Sequence, residues 1–241
     1  KMQCQATIII FMIPLCMVHE IFLFFCCWHL FGIKLLTSHY TVETLPNIES
    51  EDNINFAHLD LTSQESITNF SADIALKKKA FDTCIFLAGH LPGKKIEDYN
   101  NLEIDEVMTI NFSGFTKVYK QILLNFNNNS QVIIVSSVSA QGGSYDPIYA
   151  ASKGALISFM KSLSQVSPLK IRANAIAPGL ILNTSMYNDM DPSRQAFHIK
   201  QSPTRKLTTP EDLSRIILDI SKPHWSNMNG AVVQINGGSY V

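Results

Sequence analysis

Strand-like and helix-like segments alternate along the chain from residue 54 to its end. Short runs of apolar and β-branched residues predict strands, over Ile54–Asp60, Phe81–Gly89, Gln131–Ser137, Ile171–Gly179 and Gly230–Gly238. Apolar residues at helical spacing predict helices between them, over Ser63–Lys79, Glu103–Phe126, Tyr149–Val166 and Thr209–Ser221. Parallel neighbours require crossover helices, so this alternation predicts a doubly wound parallel sheet in one α/β domain. We expect that domain to take up the whole chain, 1–241.

Small and polar residues cluster at the ends of the predicted strands: Asp60, Gly89, Ser136, Ser137, Pro178 and Gly179. In a sheet of this kind, binding sites lie beyond the carboxyl ends of the strands. The pattern therefore predicts one shared cleft at that edge of the sheet.

Composition excludes several classes of function. The net charge is −1 and charged residues make up 16% of the chain, so no basic patch predicts a nucleic-acid partner. The cysteines are five, none in a C-x-x-C pair, and four of them lie in the first 27 residues. This is neither a zinc site nor a disulfide framework, so we expect no metal and a reducing, cytoplasmic location.

Tyr149 and Lys153 are four positions apart at the start of a predicted helix, and residues at that spacing share one face. An ammonium beside a phenol favours the phenolate, so we expect Lys153 to lower the pKa of Tyr149. A tyrosine tuned in this way can donate or accept a proton near neutral pH. For an isolated pair, the alternative is an amphipathic helix with an exposed lysine and a half-buried tyrosine.

From about Thr37 to Val241 the chain resembles the short-chain dehydrogenase/reductase family, in its simple single-domain form. The stretches that carry the resemblance are "HLDLTS", "LAG", "INFSG", "IIVSS", "YAASKGAL", "IRANAIAPG" and the terminal "INGG". The resemblance implies a Rossmann-like fold and hydride transfer between a nicotinamide cofactor and a carbonyl or alcohol substrate. A non-catalytic scaffold that keeps the fold but not the dinucleotide is the alternative.

The resemblance also implies the catalytic roles. Tyr149 is the expected general acid or base, and Lys153 lowers its pKa and binds the nicotinamide ribose. Ser137 holds the substrate oxygen, and Asn111 anchors a water that relays protons to the lysine. Ser137 is preferred to Ser136, although it is one residue closer to Tyr149 than we expect for the family, because Ser136 would point to the opposite face of a continuing strand.

For the cofactor, the resemblance assigns adenine contacts to Asp60 and Leu61 and a close backbone approach to Ala88 and Gly89. It assigns the nicotinamide amide to a loop whose expected residues are Pro178, Gly179, Ile181 and Thr184. The chain departs from the family at Phe86 and Leu87, which replace a polar pair.

Thr37–Tyr40 falls where the second strand is expected to end, the place that reads the adenine ribose. No acidic residue is present there to accept from a ribose 2′-hydroxyl, whereas Ser38 and His39 could meet a 2′-phosphate. The cofactor is thus NADP(H) or NAD(H), with NADP favoured.

The helices Glu103–Phe126 and Tyr149–Val166 carry apolar residues beyond one sheet-facing stripe: Phe112, Phe115, Ile157 and Phe159. In the resembled family these helices pair across a two-fold axis, so we expect a homodimer or homotetramer. The stretch Leu182–Leu207 reads as a polar, Met-containing loop, and the resemblance implies that it covers the substrate. It fits a sugar derivative, a fatty acyl thioester or a small ketone.

Residues 1–36 are anomalous. Ala6–Leu36 is strongly apolar, and Gly32 is the only glycine before Gly89, so the glycine-rich phosphate loop of a normal βαβ start is missing. A frame-shifted start, a membrane anchor and a pseudoenzyme all fit this composition. For a damaged βαβ start we expect a central strand at Thr7–Met12, a turn at Ile13–Met17, and a helix at His19–Phe31, too short and interrupted to span a bilayer.

If the start is damaged in this way, a glycine-rich turn introduced at Ile13–Met17 raises the affinity for NADPH, because backbone N–H groups become free to bind the pyrophosphate. Fluorescence titration of both chains with NADPH measures the gain, with Tyr149 and Lys153 left unchanged. If the affinity for NADPH does not rise, Phe86 and Leu87 are the next residues to test as the cause of weak binding.

Overall fold

Seven parallel strands form one sheet at the centre of the molecule. The computed structural model describes residues 7–11, 34–39, 54–76, 80–167 and 169–240 of the chain. The strands are β1 (Thr7–Phe11), β2 (Lys34–His39), β3 (Ile54–His58), β4 (Phe81–Phe86), β5 (Phe126–Val135), β6 (Arg172–Pro178) and β7 (Val232–Ile235). Their order is β3-β2-β1-β4-β5-β6-β7, with every neighbouring pair parallel. The prediction of a single α/β domain with a doubly wound, Rossmann-like parallel sheet is confirmed.

The first strand, β1, lies inside the sheet between β2 and β4. Its bounds, Thr7–Phe11, agree within one residue with the expected central strand Thr7–Met12. The expected turn Ile13–Met17 and helix His19–Phe31 lie outside the described residues. The interpretation of residues 1–36 as an altered βαβ start therefore stays a prediction.

Helices cover both faces of the sheet. They are α1 (Gln64–Leu76), α2 (Asn101–Met108), α3 (Gly114–Ile122), α4 (Ser139–Gly142), α5 (Pro147–Val166), α6 (Ser185–Asn188), α7 (Pro192–Gln201) and α8 (Pro210–Ile220). Three of them begin with proline, which suits the first turn because its missing N–H has no helical partner there. Within the described ranges, every helix is too short or too polar to cross a membrane.

The helix expected over Glu103–Phe126 is interrupted. A π-helical turn, Thr109–Ser113, separates α2 from α3, and a 3₁₀ turn, Leu123–Asn125, follows α3. Phe126 is the first residue of β5, which starts five residues before the predicted strand Gln131–Ser137 and ends at Val135. The spacing of apolar residues alone does not predict the π turn. The turn contains the buried Asn111, whose side chain bonds to a distant loop, and that contact is not visible in the local sequence.

The stretch Leu182–Leu207 is not the loop that we expected, because it contains α6 and α7. The α7 helix starts at Pro192, where the preceding Asp191 accepts a hydrogen bond from the N–H of Ser193 at 2.8 Å. Thr184 caps α6 in a similar way, since its hydroxyl accepts from the N–H of Tyr187 at 3.1 Å. Capping by short polar side chains thus stabilises helices in a segment of mostly polar residues.

The core has two parts, one on each face of the sheet. Neighbouring strand residues point to opposite faces, so Phe86 and Ile134 join one part while Ile85 and Ile133 join the other. Helices α1, α3 and α5 pack on the first face, and α8 packs on the second.

Two of the four residues proposed for a subunit interface are buried within the chain itself. Phe115 is completely buried and stacks on Phe86, with ring centroids 4.3 Å apart and an interplanar angle of 19°. Ile157 is also buried. Phe112 and Phe159 are partly buried and contact each other edge to face, with centroids 6.1 Å apart. Packing inside the subunit therefore accounts for Phe115 and Ile157.

The stacked pair leads to a stability prediction. Phe86→Ala lowers the free energy of unfolding by about 3–5 kcal/mol, because it removes buried area and leaves a cavity against Phe115. Leu124→Ala is the control, since Leu124 is 90% exposed and its loss changes stability by less than about 0.5 kcal/mol. Urea unfolding followed by circular dichroism gives both values. Equal unfolding midpoints for the two variants would contradict the packing described.

Candidate active site

The side chain of Lys153 is buried at the carboxyl ends of two neighbouring strands. Its Nζ donates to the carbonyl oxygens of Ala88, just after β4, at 3.2 Å and of Val135, at the end of β5, at 3.1 Å. Only 3% of the residue is exposed. Burial lowers the pKa of Lys153 to about 8, because desolvation penalises the charged form. An ammonium that titrates near neutral pH is thus held beside the strand ends.

Tyr149 lies one turn before Lys153 in α5, and the lysine Nζ is 5.9 Å from the centroid of its ring. Burial raises the pKa of Tyr149, a hydrogen bond with Ser137 lowers it, and the charge of Asp146 raises it further. The net direction is upward, so the prediction of a lowered pKa for Tyr149 is wrong in this structure. Desolvation outweighs the other effects, and the phenol is therefore held in its protonated form, ready to donate.

The two serines after β5 have different environments. Ser136 is buried, and its hydroxyl donates to the carbonyl oxygen of Lys153 at 2.8 Å. Ser137 interacts with Tyr149, and its Oγ also accepts from the N–H of Ser139 at 3.1 Å. Ser136 fixes the helix to the strand, and Ser137 is the serine beside the tyrosine.

Asn111 is fully buried in the π turn and bonds to two other segments. Its Oδ1 accepts from the N–H of His90 at 2.6 Å, and its Nδ2 donates to the carbonyl oxygen of His90 at 2.9 Å. The same Nδ2 donates to the hydroxyl of Ser152 in α5 at 2.8 Å. Both amide hydrogens are thus used by protein acceptors, and Asn111 ties the loop after β4 to α5. π turns are frequent at functional sites, and this one aims the asparagine inward.

Ala88 and Gly89 follow β4 after one intervening residue, Leu87. Ala88 is buried, and Gly89 is exposed beside the lysine. A Cβ atom at Gly89 would lie 3.0 Å from the Nζ of Lys153, so the ammonium would have to shift slightly to make room for a side chain. The glycine permits this close approach and leaves the backbone open on the cleft side.

Pro178 is the last residue of β6, and Gly179 starts the loop that follows. The carbonyl oxygen of Pro178 accepts from the N–H of Val138 at 3.1 Å, and the N–H of Gly179 donates to Ile235 at 3.0 Å. This places the loop next to the segment that carries Ser137. Further along, the buried hydroxyl of Thr184 donates to the carbonyl oxygen of Ile181 at 2.9 Å, which closes a turn.

Asp60 and Leu61 lie past the carboxyl end of β3. One oxygen of Asp60 accepts from the backbone N–H of Thr62 at 2.8 Å and from its hydroxyl at 2.7 Å. Leu61 is buried, and a Cβ atom added at Gly114 would lie 2.7 Å from the Cβ of Leu61. Gly114 therefore permits the start of α3 to pack against this segment.

Ser38 and His39 are the last residues of β2, in register with Ala57 and His58 of β3. They lie at the carboxyl end of their strand, on the same edge of the sheet as the ends of β3, β4, β5 and β6. The strand ends at the position that the sequence predicted.

Three residues of the site were missed from the sequence: His90, Asp146 and Ser152. Asp146 is the N-cap of α5 and accepts from the N–H of Tyr149 at 2.9 Å. An acid followed by proline is a helix-start signal, so the pair Asp146–Pro147 could have been found. The backbone role of His90 has no such signal, because it depends on a contact between segments 21 residues apart.

Comparison with known proteins agrees with this geometry. A family model described as "Enoyl-(Acyl carrier protein) reductase" matches residues 34–240. One relative is the 3-oxoacyl-[acyl-carrier-protein] reductase FabG of Buchnera aphidicola subsp. Schizaphis graminum, with 26% identity over 87% of this chain and 88% of the relative. The enzyme of the same name from Buchnera aphidicola subsp. Baizongia pistaciae is 28% identical over 76% of each chain.

Solved structures show the same fold. A short-chain dehydrogenase/reductase from Brucella melitensis, described as a glucose/ribitol dehydrogenase, superposes with a TM-score of 0.87 over 98% of this chain and 97% of its own, at 23% identity. A short-chain dehydrogenase family protein from Francisella tularensis gives a TM-score of 0.84 over 98% and 99%, at 20% identity. With the sheet order, the Tyr149–Lys153 helix and a family match that spans residues 34–240, the chain belongs to the short-chain dehydrogenase/reductase family of oxidoreductases.

Proposed function

We propose that this protein transfers hydride between a nicotinamide cofactor and a carbonyl or alcohol substrate, with Tyr149 as general acid or base. The observation that carries the proposal is the group formed by Tyr149, Ser137 and Lys153. The tyrosine and serine hydroxyls interact with each other, and the buried ammonium lies behind the phenol ring. This is an arrangement that can hold a carbonyl oxygen and protonate it.

In the reducing direction, Ser137 donates a hydrogen bond that orients the substrate oxygen toward Tyr149. The phenol then gives its proton to that oxygen, and the product is an alcohol. A bound nicotinamide supplies or accepts the hydride at the carbonyl carbon. The raised pKa of Tyr149 keeps the phenol protonated at neutral pH, and the positive charge of Lys153 stabilises the phenolate that the transfer leaves.

The residues around Lys153 fit a dinucleotide. Gly89 has no side chain, so a ribose can approach the ammonium from the cleft side, and Nζ has a third N–H beyond the two bonded to carbonyl oxygens. Ala88, Pro178, Gly179, Ile181 and Thr184 border the same cleft in our proposal, with Asp60 and Leu61 at the adenine end. Phe86 does not take part, because it is buried against Phe115.

NADP(H) is the preferred cofactor in this proposal, and NAD(H) is the second choice. The support is that β2 ends in Ser38 and His39 rather than in an acid. A serine hydroxyl and an imidazole can bond to a 2′-phosphate, whereas a carboxylate would repel it.

The relatives direct the choice of first substrate. Two of them carry the name 3-oxoacyl-[acyl-carrier-protein] reductase, so we propose a 3-oxoacyl thioester as the first carbonyl compound to assay. A sugar derivative and a small ketone are the next two. A cytoplasmic location and assembly as a homodimer or homotetramer belong to the same proposal, through the resemblance to the family and the partly buried Phe112 and Phe159.

The alternative of a non-catalytic scaffold is not favoured. Tyr149, Ser137, Lys153 and Asn111 are all present, and each has specific contacts in the described part of the chain. A scaffold would have no need of a buried lysine, whose desolvation is costly.

Tyr149→Phe tests the catalytic proposal. We expect kcat/KM for carbonyl reduction to fall by about 10²–10⁴, the usual contribution of a general acid, with the NADPH Kd changed by less than about threefold. Tyr119→Phe is the matched control, because it makes the same chemical change in the core and should leave turnover intact. Activity of Tyr149→Phe within tenfold of the wild type would rule out this role for the phenol.

The pKa of Lys153 predicts a pH dependence. The ammonium is charged below about pH 8 and loses its proton above it, so kcat/KM for reduction falls as the pH rises through about 8. Measurement of kcat/KM from pH 6 to 10 tests this, with Lys161→Ala on the exposed side of α5 expected to leave the profile unchanged. A profile that is flat from pH 7 to 9.5 would contradict the assignment.

A further inference from the structure

The carboxylate of Asp146 is buried at the start of α5, with 1% of the residue exposed. Its Oδ1 accepts from the N–H of Tyr149 at 2.9 Å. Its Oδ2 accepts from the N–H of Gly93 at 3.0 Å, from the N–H of Lys94 at 3.2 Å, and from the hydroxyl of Tyr99 at 2.7 Å. Among the described residues no lysine or arginine nitrogen lies within 4.0 Å of it, so four hydrogen bonds hold a buried negative charge.

A helix N-cap needs only one of these bonds. Serine, threonine or asparagine would satisfy the N–H of Tyr149 without burying a charge. The other three bonds join α5 to the loop at residues 91–99, which follows β4 at the carboxyl edge of the sheet, where substrates bind in this kind of fold. The second oxygen of Asp146 therefore acts on the cleft wall rather than on the helix.

Other contacts connect the same point to neighbouring segments. Asn111 holds His90, the residue just before the loop, through two hydrogen bonds. The ring of Tyr145, next to Asp146, has the Nζ of Lys95 at 6.0 Å and the guanidinium of Arg194 in α7 at 6.0 Å. Segments that follow β4, β5 and β6 thus meet at residues 145 and 146.

We propose that Asp146 is a positioning residue, which holds the loop 91–99 at a fixed distance from Tyr149 and so shapes the substrate side of the cleft. One oxygen fixes the backbone of the catalytic residue, and the other fixes the loop that faces the substrate. The inference rests on the proposed function for its consequence in catalysis, but the contacts themselves can be tested without turnover.

Asp146→Ser separates the two tasks. The serine hydroxyl can cap the N–H of Tyr149, but it is too short to reach Gly93, Lys94 and Tyr99 as well. We expect amide hydrogen exchange at Gly93 and Lys94 to become at least tenfold faster, while the amides of α5 keep their protection. Asp98→Asn, an exposed acid in the same loop, is the control and should leave exchange unchanged. Unchanged exchange at Gly93 and Lys94 in Asp146→Ser would overturn the proposal.

Kinetics supply the second readout, with a 3-oxoacyl thioester and NADPH as substrates. We expect Asp146→Ser to raise KM for the thioester by about tenfold and to change kcat and the KM for NADPH by less than about threefold. Tyr99→Phe, which removes one of the three loop bonds, should raise the thioester KM by a smaller factor. An equal rise in the KM for the thioester and the KM for NADPH, or a fall in kcat alone, would overturn the positioning role. A wild-type chain that turns over none of the three carbonyl classes would instead refute the proposed function, and hydrogen exchange would then decide on Asp146 alone.

Discussion

The burial of the Lys153 ammonium is the constraint on which the geometry of the site depends. A charge removed from water costs several kcal/mol unless it is compensated, and here two carbonyl oxygens at the ends of adjacent strands accept its protons. These bonds are available only where β4 and β5 end next to each other and α5 starts above them. The hydroxyl of Ser136 adds a bond to the backbone of the same lysine. The helix that carries Tyr149 is thereby held in one register against the sheet.

A cluster of aromatic side chains packs between strand β4 and helices α3 and α5. Phe86 occupies a position where the family has a polar residue, and it stacks on Phe115. Phe115 also contacts Tyr119 and Phe159, so strand β4 and helices α3 and α5 share one cluster of rings. Phe112 lies inside the π turn that contains Asn111, and Phe115 lies two residues after its end.

Asn111 and Asp146 act on the same loop from two directions. Asn111 bonds to the first residue after Gly89, and Asp146 bonds to the loop three and four residues further on. Both also bond to α5, Asn111 through Ser152 and Asp146 through the N–H of Tyr149. Buried polar networks of this kind specify one geometry, because each unsatisfied member would be costly. The loop, Tyr149 and Lys153 thus belong to one hydrogen-bonded unit at the carboxyl edge of the sheet.

The sequence by itself determined the parallel α/β fold, since alternating strands and helices leave few other ways to pair the strands. It also singled out Tyr149, Lys153, Ser137 and Asn111 as candidate site residues, because short motifs carry these residues. Only the tertiary structure decided the direction of the pKa of Tyr149, which depends on burial, and the partners of Asp146, which come from a loop about 50 residues away. The π turn at Asn111 and the helices within Leu182–Leu207 were decided there too. Local periodicity reports which residues face a core, but contacts between distant segments set dielectric environment, charge and hydrogen-bond partners, and these control the chemistry.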